Sequence, residues 1–282
     1  MRIGFVTRLL WGRYGGFWTR LLEAAGAETV VPEQANVQVA SDDPRLDAVV
    51  GLAFRQAAAE ALSLADCDRI VVPALNRGYE GSRGSAQDPF VGDFPAALAQ
   101  VVPGLPTLIG VPADLSDPSI EGLAIEVLSM LAPSHGTVRR VWQTHRADAR
   151  PPRAPGLPSV SGSNTVRTVA LVGQPWHFGE RVRTPSPGPG ERLWLADRID
   201  PTELRREGWR FDEKLAPTDA EALGAVRRFS RRPEVDAVRM IVDPSSWADA
   251  WLERRARAVV HGRFETAEVP GAAVPISEDA GG

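Results

Sequence analysis

The chain has 282 residues, of which 43% are hydrophobic and 24% charged, and its formal net charge is −4. This composition is typical of globular proteins, and the negative charge argues against a protein that coats nucleic acid, which needs a basic face. No apolar run reaches the roughly 18 residues of a membrane span, and the first residues lack a signal-peptide pattern. We therefore predict a cytoplasmic protein that binds neither nucleic acid nor membrane.

The first half of the chain alternates strand-like apolar runs with helix-like runs. The strands are predicted at Arg2–Thr7, Glu28–Val31, Asp68–Pro73 and Pro106–Pro112. The helices are predicted at Phe17–Gly26, Pro44–Leu64, Phe94–Val102 and Ser119–Leu131. Such alternation is typical of parallel βαβ units.

The segment Arg146–Thr165 is rich in Pro, Ser and Gly, which indicates a linker. After it the alternation restarts, with strands at Val166–Gly173 and Ala237–Val242 and helices at about Pro201–Glu207, Thr218–Arg231 and Ser246–Val260. The predicted fold class is α/β, with two Rossmann-like doubly wound domains, mainly parallel sheets and a cleft between them. Their predicted bounds are 1–145 and 166–263, with a linker at 146–165 and a flexible tail at 264–282.

The turn after the first strand contains Gly12, Gly15 and Gly16. Their spacing differs from the GxGxxG fingerprint of dinucleotide-binding proteins, and no P-loop pattern occurs in the chain. We therefore predict that these glycines let a loop fold over packed aromatic side chains. A phosphate at the N-terminus of the helix predicted near Phe17 is the less favoured alternative.

The single cysteine, Cys67, excludes an intrachain disulfide. Structural zinc sites and iron–sulfur clusters usually take several cysteine ligands from one chain. The four histidines show no zinc-hydrolase spacing. We therefore predict that the chain holds no metal.

Two segments after strands carry residues suited to acid/base chemistry. The segment GQPWHFGE contains His177 and Glu180, and DPSSWADAW begins with Asp243. Carboxyl ends of strands are where α/β sheets bind ligands, so His177 with Glu180 or Asp243 is a weak candidate acid/base pair. The alternative is that His177 is an ordinary hydrogen-bonding loop residue and that Asp243 only precedes a capped helix start.

Residues Ile3–Gly26 resemble the start of 2-hydroxyacyl-CoA dehydratase subunits and the related activase-associated proteins, which open with a pattern of the kind IGIPRALLYYxYxPLWxxFFxxLGxEVVxS. The residues that match it without a gap include Ile3-Gly4, Leu9-Leu10, Tyr14, Trp18 and Gly26. Three later segments also resemble family segments in the same order: Asp68–Pro73, Gly173–Glu180 and Val242–Trp251.

In that family, cysteines from separate loops bind a [4Fe–4S] cluster, which passes an electron from an ATP-driven activase to a CoA thioester. The corresponding positions fall near Val49, near Ser85 or Asp88-Pro89, and around Asp243–Ser245, and none is a cysteine. Cluster ligation needs thiolates. The resemblance therefore implies a member of the family without the cluster, without any cofactor and without radical dehydration.

The leading hypothesis is a protein that binds an acyl-CoA-like or other small anionic ligand in the cleft, or a partner subunit such as an activase-type ATPase or a dehydratase-like chain. We lean against an enzyme. Arg8 and Arg77 are expected to pair with phosphate, and Trp11 or Trp176 to stack on an adenine ring. The candidate ligand-binding residues are Thr7, Arg8, Trp11, Tyr14, Asn76, Arg77, Gln174 and Trp176.

Two alternatives stay open. The first is a metal-independent enzyme that uses His177 with Glu180 or Asp243 in the cleft. The second is a structural subunit of a larger complex, in which some of the eight tryptophans lie at an interface.

Overall fold

A computed structural model gives the fold of the chain and describes residues 1–79, 81–131, 134–158, 166–179 and 185–270. This part of the chain forms two parallel sheets of four strands each, with helices between the strands. The predicted α/β class is confirmed. None of the described helices combines the length and the apolar character needed to cross a membrane.

The first sheet has the strand order β2-β1-β3-β4. Its strands are β1 (Arg2–Phe5), β2 (Glu28–Val30), β3 (Arg69–Ala74) and β4 (Thr107–Pro112), and all neighbours are parallel. After an arginine at their first position, the central strands β1 and β3 consist mainly of buried apolar residues, as is typical of a parallel sheet covered on both faces. From β1 the chain continues to β2 on one side of the sheet, and then crosses back to β3 on the other side of β1. Such a change of direction opens a crevice at the carboxyl ends of β1 and β3.

Seven helices accompany this sheet in the described part of the chain. They are α1 (Trp11–Ala24), α2 (Gln34–Ala40), α3 (Leu52–Ser63), α4 (Pro89–Gly92), α5 (Phe94–Val101), α6 (Ile120–Ser129) and α7 (His135–His145). In α1 the apolar residues recur at helical spacing and are buried, among them Tyr14, Trp18 and Leu21.

The second sheet repeats the same order with β6-β5-β7-β8. Its strands are β5 (Arg167–Val172), β6 (Glu191–Leu195), β7 (Ala237–Val242) and β8 (Phe264–Glu268), again all parallel. The described helices of this half are α8 (Pro201–Trp209), α9 (Pro217–Ser230) and α10 (Trp247–Val259).

The first helix starts earlier than predicted. It begins at Trp11, so Gly12, Gly15 and Gly16 lie within it and not in a loop. The reason is packing, because a Cβ atom on Gly15 would overlap the Trp11 indole. The absence of a side chain therefore lets an aromatic ring lie against the helix.

The helix predicted over Pro44–Leu64 is interrupted. Pro44–Ala48 form a 3-10 turn, and α3 starts only after Gly51. Gly51 has a φ of 89°, a conformation that residues with a Cβ atom rarely adopt.

The end of the second half also differs from the prediction. Phe264–Glu268, placed in the flexible tail, form the edge strand β8 and pair with β7. The two acidic residues of this segment, Glu265 and Glu268, are unusual for a buried strand, but edge strands commonly carry charge, which discourages pairing with other chains. Residues 271–282 of that predicted tail lie outside the described part of the chain.

Candidate ligand-binding site

The turn between β1 and α1 has an unusual backbone. Leu9 and Leu10 have φ values of 55° and 76°, in the left-handed region. Two consecutive residues with side chains in this region are uncommon, and such strain clusters at ligand-binding and catalytic sites. Thr7 anchors the turn, since its backbone N–H donates to Glu60 Oε2 at 2.6 Å.

A pocket of about 310 Å³ opens beside this turn. Its walls come from six segments distant in sequence. They are the turn and first residues of α1, the residues directly after β4, residues 151–155 after α7, residues 175–179 after β5, Asp197 after β6, and the start of α8. The charged side chains on its walls are Arg8, Arg13, Asp114, Arg153, Asp197 and Arg205. Both sheets therefore contribute elements to one cavity.

Three of the arginines are held by carboxylates. Arg13 donates two hydrogen bonds to Glu221, with N–O distances of 2.9 and 2.5 Å. Arg8 pairs with the buried Glu60, and Arg205 donates to Asp114. Burial by itself would raise the pKa of Asp114, but the hydrogen bond and charge of Arg205 lower it below its ordinary value. These pairs hold the guanidinium groups in place around the pocket.

The N-terminus of α1 lies on the same pocket. Trp11, Gly12 and Arg13 form the first turn and line the cavity. This turn contains no acidic residue, and the residue before it, Leu10, makes no capping hydrogen bond from its side chain. The first N–H groups of a helix lack intrahelical partners and carry partial positive charge. The helix start and the arginines thus favour an anion in the same place.

Asp197 adds a negative group to the wall. Its Oδ1 atom is buried and has no hydrogen-bond partner among the described residues. Burial raises the pKa of this carboxyl, while Arg198 and Arg13 act in the opposite direction. A ligand hydroxyl or amine would satisfy this oxygen.

Three of the predicted ligand-binding residues line this pocket, namely Thr7, Arg8 and Trp11. The Trp11 ring packs edge-on against Phe5 and Tyr14, with centroid distances of 5.3 and 5.5 Å. Its ring is therefore held in the wall by these aromatic contacts.

The remaining predicted ligand-binding residues lie away from this pocket. Tyr14 is buried and its hydroxyl donates to the carbonyl oxygen of Val6 at 3.2 Å. Trp176 is buried against Phe54, at a centroid distance of 5.3 Å. Arg77 is exposed and lines two other pockets near the end of β3.

Asn76 and Gln174 join the two halves of the chain. Asn76 Nδ2 donates to Thr218 Oγ1 at 3.1 Å. Gln174 Nε2 donates to Asp219 Oδ1 at 2.9 Å, and the same carboxylate accepts hydrogen bonds from the backbone N–H and the hydroxyl of Ser85. These five side chains are buried, so they build the interface and not the pocket wall.

The predicted acid/base residues also lie in buried contacts. His177 Nε2 is 2.6 Å from Asp249 Oδ2, and the backbone N–H of Asp243 donates to the same oxygen at 2.7 Å. Asp243 accepts hydrogen bonds from the backbone N–H groups of Leu52 and Ser245. Glu180 lies outside the described residues.

The charged pocket residues that sequence reasoning missed are Arg13, Asp114, Arg153, Asp197 and Arg205. Arg13 lay in a segment predicted as a loop. Asp114 and Arg205 are 91 residues apart and meet only because the two halves pack together. The one usable signal was position, since Asp114 directly follows a predicted strand, where α/β sheets bind ligands.

The interface carboxylate Asp219 predicts a dependence of stability on pH. Burial raises its pKa from 3.8 to about 6, although hydrogen bonds from Ser85 and Gln174 favour the charged form. The pKa of Asp219 is higher in the folded state than in the unfolded state. The contribution of Asp219 to the free energy of unfolding is therefore fully present below about pH 4 and is lost as the pH rises through about 6. We expect wild type to lose about 3 kcal/mol relative to Asp219→Asn between pH 4 and 7.5.

Urea unfolding of wild type and Asp219→Asn at pH 4, 5.5 and 7.5 measures this difference. The amide introduced at position 219 can be hydrogen-bonded. Gln174 Oε1 has no hydrogen-bond partner among the described residues, and a flip of the Gln174 side chain would direct this oxygen towards the new NH2 group. Parallel pH profiles for the two proteins would contradict the prediction.

No family model, curated protein or solved structure matches this chain. Within the described residues, no three His, Cys, Asp or Glu side chains are grouped as a metal site requires. The resemblance to the dehydratase family and the predicted lack of a cluster stay predictions.

Proposed function

We propose that the chain binds a small anionic ligand in the pocket at the start of α1, within a cleft between two Rossmann-like domains. The observation that carries this proposal is the cavity itself, which is lined by four arginines and by a helix N-terminus without an acidic residue. Two of these arginines are tied to carboxylates on the opposite half of the chain. The site is therefore built before any ligand arrives.

The rest of the wall indicates the remainder of the ligand. Leu9, Leu10, Phe178 and several prolines give the cavity an apolar surface next to the arginines. A ligand with a negatively charged end and a short apolar part fits this pattern. CoA esters have this chemistry, so the family resemblance and the pocket support the same class of ligand.

A thermal-shift panel tests the proposal with inorganic pyrophosphate, CoA and acetyl-CoA. A ligand present at 100 times its dissociation constant stabilises the folded state by about 2.7 kcal/mol. We expect at least one of these anions to raise the melting temperature. No shift with any of them, together with stable co-purification of a second protein, would instead favour the alternative of a structural subunit.

Substitution of Gly12 tests the position of the anion. Gly12 lies in the first turn of α1, lines the pocket, and has open space where a Cβ atom would be. Gly12→Asp places a negative charge at the helix N-terminus, which stabilises the free protein by about 0.3–1 kcal/mol beyond the gain from replacing glycine. The same charge is expected to weaken pyrophosphate binding at least about tenfold.

Gly12→Ala is the matched control, because it changes the backbone freedom in the same way without adding charge. Calorimetric titration of both variants should show wild-type affinity for Gly12→Ala and the loss for Gly12→Asp. Equal affinities in the two variants would place the anion away from α1 and contradict the proposal.

A further inference from the structure

A second pocket, of about 500 Å³, lies next to the first. It is built from the ends of β3 and β4 and from the start of α8. Asp114, Thr202 and Arg205 line both pockets. The two cavities are therefore neighbours that share one wall.

The shared wall is an ion pair between the two halves of the chain. Arg205 on α8 donates to Asp114, which follows β4. The Arg205 side chain is 10% exposed and that of Asp114 is 30% exposed. A ligand that passes along this pair meets a guanidinium group at the junction of the two pockets.

The second pocket also carries two aromatic rings, Tyr79 and Trp209, which we call the aromatic shelf. Their rings are nearly parallel, at an angle of 14° and a centroid distance of 6.4 Å. The Trp209 indole N–H donates to the carbonyl oxygen of Leu215 at 3.0 Å, which fixes its ring. Tyr79 is 40% exposed. A planar group can stack on such a shelf.

The second pocket is also lined by a hydrogen-bond acceptor, the carboxylate of Asp117. Asp117 lines the second pocket and accepts hydrogen bonds from the backbone N–H and the hydroxyl of Ser119 through Oδ1. A carboxylate has about four acceptor sites in all. The hydroxyl groups of a sugar are donors that match the remaining ones.

We infer that the two pockets form one elongated site for a nucleoside diphosphate. Its phosphates lie at the start of α1 among the arginines, its sugar passes the Asp114–Arg205 pair towards Asp117, and its base stacks on the Tyr79–Trp209 shelf. This inference rests on the proposed function, because it extends the same anion site into the second pocket. It assigns base recognition to Tyr79 and not to Trp11 or Trp176.

Calorimetric titration with inorganic pyrophosphate, ADP and UDP tests the inference. Stacking of a base on an aromatic side chain changes affinity by roughly five- to a hundredfold. Wild type should therefore bind ADP or UDP at least about fivefold more tightly than pyrophosphate. Tyr79→Ala should remove that difference and leave pyrophosphate binding unchanged, whereas Tyr79→Phe, which keeps the ring, should retain it.

The outcomes separate the inference from the function beneath it. If pyrophosphate binds but neither nucleotide binds more tightly, or if Tyr79→Ala keeps the nucleotide preference, the elongated site is overturned while the anion site stands. If neither pyrophosphate nor a nucleotide binds to wild type, both are overturned.

Discussion

Replacing Gly224 by alanine is expected to destabilise the chain by about 3 kcal/mol, the upper part of the range for overpacked sites. A Cβ atom on Gly224 in α9 would overlap the carbonyl oxygen of Leu204 in α8. The facing glycine, Gly208 in α8, has the same problem with the carbonyl oxygen of Ala220. Both obstacles are backbone atoms, which cannot rotate away, so the helices must separate to admit the methyl group.

Urea unfolding of Gly224→Ala against a matched helical glycine measures this effect. Gly122 in α6 is exposed and has open space around the position of a Cβ atom. Gly122→Ala is therefore expected to stabilise the chain, by at most about 1 kcal/mol. Similar unfolding midpoints for the two variants would show that α8 and α9 do not approach as closely as the structure has them.

The close contact of α8 and α9 also bears on the site. Arg205 on α8 lines both pockets, and Asp219 and Glu221 on α9 reach residues of the first half. A shift between these helices would move all three side chains. The two glycines thus fix the positions of Arg205, which lines the proposed ligand site, and of Glu221, which pairs with Arg13.

Arg13→Met is expected to cost about 3 kcal/mol of stability, because it leaves the Glu221 carboxylate buried without its partner. The Glu221 side chain is 8% exposed and the Arg13 side chain 21% exposed. Their two hydrogen bonds connect α1 with α9, so this ion pair depends on the contact between the two halves of the chain. Removal of one partner is therefore expected to lower the free energy of unfolding more than removal of both partners.

A double-mutant cycle with Arg13→Met and Glu221→Met isolates this coupling. The double variant is expected to recover at least about 1 kcal/mol relative to Arg13→Met alone, since no uncompensated charge remains. Urea unfolding at pH 7.5 gives the three free-energy differences. Strictly additive losses would mean that the two side chains are not coupled in solution.

The strands of the chain could be read from local patterns. Runs such as Asp68–Pro73 and Ala237–Val242 are short, apolar and rich in β-branched residues, and both coincide with strands to within one residue. Their alternation with helices was enough to predict an α/β protein with parallel sheets. Burial on both faces of a central strand leaves a continuous apolar signal, which needs no knowledge of the neighbouring strands.

The edge strands of the second sheet and the start of α1 carried no such signal. β8 contains two acidic residues, Glu265 and Glu268, and only its pairing with β7 identifies the segment as a strand. The start of α1 was missed because three glycines normally indicate a loop, whereas here Gly15 makes room for the Trp11 ring. In both cases packing decides the secondary structure against the local propensity: pairing with β7 for β8, and contact with the Trp11 ring for α1.

The amino-acid sequence alone determined the α/β class and the position of most strands and helices. The reason is that buried strands and amphipathic helices leave local patterns of apolar residues in the sequence. Packing decided the site, since Arg13, Asp114 and Arg205 become pocket residues only where the carboxyl ends of the two sheets meet. Asp114 and Arg205 are 91 residues apart, and no repeating pattern in the amino-acid sequence indicates that they form an ion pair. The location of the proposed ligand site is therefore a property of the tertiary structure.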